Sequence, residues 1–99
     1  MVRVIIERRP KKGKELELWA LLRELRRTGL PQPGYISGET LVGRDDPSLW
    51  VVIATWLSPE HWQAWVNSPE RKKLAAKIEP LLAAPTKTTI LEFLEKLKE

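Results

Sequence analysis

The sequence predicts an α+β domain: an antiparallel four-stranded sheet with helices on one face, in the order β-α-β-β-α-β with a split second helix. Three observations predict it. Short segments either alternate apolar and polar residues or run apolar with β-branched and aromatic side chains, as strands do. Two longer segments place leucines at helical spacing. The tripeptide Ser-Pro-Glu occurs at 58–60 and again at 68–70, which reads as two successive helix starts.

The elements follow in order. From Val2 to Arg9, Val4 and Ile6 point one way and Arg3, Ile5 and Glu7 the other. Pro10-Lys11-Lys12-Gly13 breaks this strand. Lys14 to Thr28 reads as a helix, with Leu18, Leu22 and Leu25 in one stripe and Trp19 and Leu21 widening it. Arg26 and Arg27 suit its C-terminal end, and Gly29 is placed to terminate it. Pro31-Gln32-Pro33-Gly34 is a stiff loop. Tyr35 to Gly43 is a second strand, Asp45-Asp46-Pro47-Ser48 a turn, and Leu49 to Trp56 a central strand.

Ser58 and Ser68 are then N-caps, Pro59 and Pro69 first helical residues, and Glu60 and Glu70 acids at the positive helix end. A short helix stops near Asn67. The next carries Leu74, Ala75, Ile78, Leu81 and Leu82 as a buried stripe and ends at Pro85. Thr86 to Leu94 is the last strand, with Thr89, Leu91 and Phe93 on one face and Ile90 and Leu94 on the other. Residues 95–99 are a charged tail beyond a single domain whose core runs from about 2 to 94. The whole order is ferredoxin-like.

Both helical regions belong on one side of this sheet, yet both faces of the third and fourth strands carry large apolar groups. An uncovered apolar face exceeds what a monomer ordinarily exposes. A second copy is therefore expected over the helix-free face, most simply about a two-fold axis. Five tryptophans in 99 residues are more than one small core needs, which also points to a partner surface or a pocket.

Composition narrows the chemistry. With no cysteine, thiolate chemistry and disulfides are excluded, and with one histidine a single-chain zinc site is not expected. No apolar run approaches the ~20 residues that cross a bilayer, and the N-terminus does not read as a secretory signal, so a cytoplasmic protein without membrane contact is expected. The net charge of +4 is spread over short basic clusters, including Arg71-Lys72-Lys73, and reads as a solvated surface. The third strand, LWVVIATW, lacks both basic residues and the aromatic signature of an RNA-recognition sheet, so no nucleic-acid partner is expected.

The segment from Gly34 to Glu70 resembles the antibiotic biosynthesis monooxygenase family. The matching features are Pro33-Gly34-Tyr35, Gly38-Glu39, the Asp-Pro turn, Trp56 closing the third strand, and Trp65 followed by Ser68-Pro69. The resemblance extends from Val2 to about Phe93. It implies a dimeric α+β barrel and, in one branch, oxygenation of aromatics without metal or flavin. The haem-degrading branch resembles this chain at Trp65, but its haem-ligand histidine falls near Ala75 and its first-strand asparagine near Glu7. Alanine cannot ligate iron, so no haem is expected here.

The candidate site combines residues with this resemblance. Trp65, Trp62 and Tyr35 are candidates for an aromatic box around a small flat ligand. His61, four residues before Trp65 on the same helix, is the candidate general base. Arg8, Glu39 and Ser37 are candidate polar contacts, with Arg8 and Glu39 as a possible buried pair. No cofactor or metal is expected. Two functions follow: a cofactor-independent monooxygenase of a phenol, quinol or anthrone, or a non-catalytic, ligand-binding or structural homodimer.

Overall fold

The computed structural model describes residues 1–95. The elements are β1 (Val2–Arg8), α1 (Glu15–Gly29), β2 (Tyr35–Val42), β3 (Trp50–Trp56), α2 (Pro59–Val66), α3 (Pro69–Ile78), a 3-10 turn (Glu79–Leu81) and β4 (Lys87–Glu92). The sheet order is β2-β3-β1-β4, with every pairing antiparallel. This is the expected ferredoxin-like arrangement. The expected charged tail falls largely at 96–99, outside the described residues.

Alternation along β1 sets the layers. Val2, Val4, Ile6 and Arg8 are buried, while Arg3, Ile5 and Glu7 face the other way. Two hydrophobic clusters form under the helices. One packs Val2, Val4, Ile6, Ala54 and Trp56 against Trp62 and Trp65 of α2. The other packs Leu18 and Leu22 of α1 against Ile78, Leu81 and Leu82. Leu25 touches both clusters, so the seam between them lies beneath the C-terminal half of α1.

The two Ser-Pro-Glu copies are helix starts, as read. Ser58 Oγ accepts the His61 backbone N–H and Ser68 Oγ accepts that of Arg71, each at 3.2 Å. Ser68 does more, because its hydroxyl donates to the Trp65 carbonyl at 2.8 Å. One side chain thus closes α2 and opens α3, and the angle between these helices rests on it.

Three local expectations change. The stripe from Leu74 to Leu82 is not one helix. Pro80 has no N–H to continue the ladder, so α3 ends at Ile78 and a 3-10 turn carries Leu81 inward. Trp19 does not widen the core stripe; it is 41% exposed and meets Trp50 edge-on at 6.4 Å. Gly29 has no positive φ and is the last residue of α1. Pro31, lacking an N–H, follows it, and Gln32 Nε2 donates to the Thr28 carbonyl at 3.2 Å. Gly29 instead leaves room for the Trp65 indole, 3.4 Å from where its Cβ would stand.

The helix-free face is mixed. In register, Leu41, Val51, Glu7 and Lys87 form one row; Glu39, Ile53, Ile5 and Thr89 a second; Ser37, Thr55, Arg3 and Leu91 a third. The apolar members make a band through the middle, framed by polar and charged residues. Lys87 and Glu7 approach to 3.8 Å at one rim.

Ser68→Ala removes two hydrogen bonds at the α2–α3 joint. It should cost about 1–2 kcal/mol, the upper range for a lost N-cap, in urea unfolding. Ser58 Oγ also meets His61 Nδ1 at 2.6 Å, so the comparison is made in a His61→Ala background, where Ser58→Ala removes the cap alone and should cost less. Equal costs there would show that the joint contributes nothing beyond capping.

Candidate functional site

A cavity of about 70 Å³, partly open to solvent, lies at the seam between the two clusters. Its floor is the inward face of the sheet: Ile6 and Arg8 of β1, Val52, Ala54 and Trp56 of β3, and Tyr35, Gly38 and Thr40 of β2. Its roof is Leu22, Leu25, Arg26 and Gly29 of α1, Trp62 and Trp65 of α2, and Arg71 of α3. The aromatics form a chain. Tyr35 meets Trp56 at 5.4 Å and Trp56 meets Trp62 at 5.8 Å, both edge-to-face. The Arg71 guanidinium then lies 5.1 Å from the centre of the Trp62 ring, within cation–π range.

Arg8 is 4% exposed, the one charged residue among the buried residues described. It holds the fourth inward position of a strand whose first three are Val2, Val4 and Ile6. Desolvation, the nearby Arg71 charge and, in the opposite direction, Glu79 together push its pKa down to about 10. It therefore stays protonated at pH 7, and its burial costs stability there. The sign follows from proton counting. The folded pKa lies below the unfolded value, so above pH 10 the unfolded chain binds more protons and the penalty shrinks as pH rises. Arg71 is likewise lowered by burial and supported by Glu79.

Three buried side-chain polar atoms have no protein partner among the described residues: Arg8 Nε, Trp56 Nε1 and Arg71 Nε. All three are N–H donors, and all three residues line this cavity. A second, more polar cleft of about 160 Å³ adjoins it. The two spaces share Arg8, Leu25 and Arg71, and the cleft adds Ala75, Ile78, Glu79, Thr86 and Thr88.

Trp65, Trp62, Tyr35 and Arg8 are brought together as anticipated. Ser37 and Glu39 are not. Pairing shifts between Tyr35 and Ser37, a bulge that spends Ile36 as an extra residue. Strict alternation would put Tyr35, Ser37 and Glu39 on one face. The bulge turns Gly38 and Thr40 to the cavity instead and leaves Ser37 and Glu39 exposed on the helix-free side. Arg8 and Glu39 lie on opposite faces of the sheet and cannot pair.

His61 is also displaced from its expected place. It does not line the cavity. Its ring rests on Gly34, and its Nδ1 lies 2.6 Å from Ser58 Oγ. Gly34 has φ +85° and no room for a side chain, because a Cβ there would overlap the His61 ring. The contact fastens the loop before β2 to the start of α2.

Sequence reasoning missed Arg71, Trp56, Gly38 and Thr40 as cavity residues. Arg71 stands beside Lys72 and Lys73 and looked like part of a solvated cluster. Only the turn at Ser68 carries it back over Trp62. Arg8 was legible, as a charge on an otherwise apolar inward row.

The profile of the antibiotic biosynthesis monooxygenase family matches residues 1–77. The chain belongs to this family. The match contains every residue lining the cavity, whereas Glu79, Thr86 and Thr88 of the adjoining cleft lie beyond it. Solved structures share the fold. A conserved protein from Methanosarcina mazei Go1 superposes with a TM-score of 0.87 at 19% identity, over 92% of this chain and 90% of that one. Rv0793 from Mycobacterium tuberculosis gives 0.86 at 24% identity, over 94% of each chain. SnoaB, a cofactor-independent oxygenase from Streptomyces nogalater, gives 0.81 at 18% identity, over 99% of this chain and 98% of that one. Protein SchA of Streptomyces halstedii is 31% identical over 48 residues, which span 48% of this chain and 13% of SchA. These solved structures thus share this sheet and helix order at 24% identity or less.

Gly34→Ala should destabilise the fold by about 1–3 kcal/mol from backbone strain plus the clash with His61. His61→Ala in the same background should recover the steric share and leave the strain. A double-variant cycle by urea unfolding measures this. If removing the ring recovers nothing, Gly34 is needed for its backbone alone.

Proposed function

We propose that this chain is a cofactor-independent oxygenase of a small electron-rich aromatic, working as a homodimer joined through the helix-free sheet face. The observation that carries the reading is the aromatic-walled cavity, whose lining residues include three buried N–H donors with no protein acceptor among the described residues. Family membership supports it, as does the likeness in fold to SnoaB, described as a cofactor-independent oxygenase.

The chemistry needs little from the protein. In an anthrone-type substrate, a CH₂ group conjugated to a carbonyl loses a proton to water at the cavity mouth. The charge settles on the carbonyl oxygen, where buried N–H donors and guanidinium charge stabilise it. The carbanion gives one electron to dioxygen. The substrate radical and superoxide then join through a new C–O bond, and the peroxide takes up a proton. Loss of the remaining C–H proton with cleavage of the O–O bond releases water and leaves a carbonyl. The sum is CH₂ + O₂ → C=O + H₂O. The walls' part is to exclude water from the anion and hold the ring flat.

The homodimer follows from the apolar band of Ile5, Leu41, Val51, Ile53 and Leu91 across the helix-free face. The charged frame around it, with Arg3, Glu7, Glu39 and Lys87, suits a self-complementary two-fold contact. A second reading, a ligand-binding homodimer without catalysis, is favoured by two observations. The cavity lining contains no carboxylate or imidazole. Its 70 Å³ is also less than the ~150 Å³ that holds benzene in an engineered apolar cavity, so a ring must widen it or use the open mouth.

Light scattering should give a dimer for the wild-type chain and a folded monomer for Ile53→Lys, which puts a charge in the middle of the band. A wild-type monomer at micromolar concentration would remove the dimer. With anthrone as substrate, an oxygen electrode should record one O₂ consumed per ketone formed, and Trp65→Ala should reduce the rate at least tenfold. Uptake no faster than the protein-free background favours the binding reading.

A further inference from the structure

The mechanism uses the cavity donors for an oxyanion formed in the reaction, but the cationic wall offers more than that. Arg8 and Arg71 separate the apolar cavity from the polar cleft and belong to the lining of both. The carboxylate acting electrostatically on both of them is Glu79. It is not ion-paired to either within 4 Å, since the ion pairs among the described residues are Arg9–Asp46 and Lys87–Glu7. Glu79 is also engaged elsewhere: its Oε1 accepts the Thr86 hydroxyl at 2.6 Å. Arg26, the third arginine at the cavity, already donates from Nη1 to the Gly38 carbonyl at 2.9 Å. Two guanidinium charges against one carboxylate leave one positive charge uncompensated. The Nε–H of each guanidinium is buried and lacks a protein acceptor among the described residues. Burying such a charge unpaired is costly, and an anionic ligand would offset that cost.

We propose that Arg8 and Arg71 form a carboxylate subsite, and that the ligand is an aromatic monoacid whose ring enters the apolar cavity while its carboxylate lies between the two guanidinium groups. This deepens the oxygenase reading by naming the substrate class, and it rests on that reading only for what happens to the ring afterwards. The geometry of the parts agrees with the assignment. Planar guanidinium groups match a carboxylate through paired N–H donors better than any other side chain does. Arg71 is held in place by the Trp62 face, and Arg8 by the strand beneath it. The ring of the ligand meets Trp62 and Trp56 on the apolar side of the same two arginines. A neutral aromatic of equal size would meet the same apolar walls, widening the cavity or using its open mouth in the same way, and leave the charge uncompensated, so selectivity between an acid and its amide is the signature.

The test titrates ¹⁵N-labelled protein with benzoate and with benzamide, reading the Trp indole and Arg Nε–H signals by NMR. Benzoate should bind at least tenfold more tightly. Its titration should move the Trp56 indole and the Arg8 and Arg71 Nε–H resonances together. Arg8→Met and Arg71→Met should each abolish that preference, and Arg8→Lys should retain part of it, since charge survives without the planar fork. Equal affinities, binding of neither compound up to millimolar concentration, or a benzoate preference that survives both Met substitutions would each overturn the subsite. The readout involves no turnover. A benzoate preference without oxygen uptake on any acid would therefore sink the oxygenase reading alone. Oxygen uptake without acid selectivity would sink this inference alone.

Discussion

A positive charge sits where the strand pattern calls for an aliphatic side chain. β1 buries Val2, Val4 and Ile6 on its inward face, and the next inward position is Arg8. The side chain is nonetheless buried, at 4% exposure. One cluster forms around Trp56, Trp62 and Trp65, another around Leu18, Leu22 and Ile78, and Arg8 lies in the lining of the cavity between them. Had this position been valine, hydrophobic burial would favour a single continuous core. Arg8 and Arg71 both line that cavity, and the Nε–H of each has no protein acceptor among the described residues.

The helix pair α2–α3 serves the same place. A single long helix would run past the sheet. The Ser68 joint instead ends α2 after Trp65 and restarts the chain so that Arg71 folds back over Trp62. The two arginines come from the first strand and the third helix, and the break places both in the lining of the same cavity. Gly29 adds the space that seats Trp65. On the opposite side, the sheet presents an apolar band framed by charge.

Much of the fold was legible in the sequence because it is written in short-range chemistry. Alternation marked β1, a run of β-branched and aromatic residues marked β3, leucine spacing marked α1, and the doubled Ser-Pro-Glu marked the split helix. The misplaced details share one cause, a local rule overridden by a single residue. Pro80 cut the stripe from Leu74 to Leu82. Ile36 entered a bulge and reversed the faces of Ser37 and Glu39, so two of the three expected polar contacts left the cavity. Periodicity carries no signal for such a bulge. The candidate site was legible where it depended on one element, as with Arg8 or Trp62 and Trp65. It was hidden where it depended on how two elements meet, as with Arg71. His61 looked catalytic because it is alone in its chemistry, but its neighbours make it a fastening between Gly34 and Ser58.

The account stands on Arg8 being a buried charge that the protein alone does not satisfy. Equilibrium urea unfolding of Arg8→Met against the wild-type chain, without ligand at pH 7, tests this most directly. Methionine fills much of the same volume without charge. The pKa lowered to about 10 corresponds to a penalty on the order of 3 kcal/mol, part of which the substitution should return. The predicted result is a higher unfolding midpoint with an unchanged denaturant dependence, a gain of about 1–3 kcal/mol. A variant less stable than wild type by more than about 1 kcal/mol, the scale of an ordinary hydrogen bond, would mean that Arg8 has its partner within the fold, and would contradict the account.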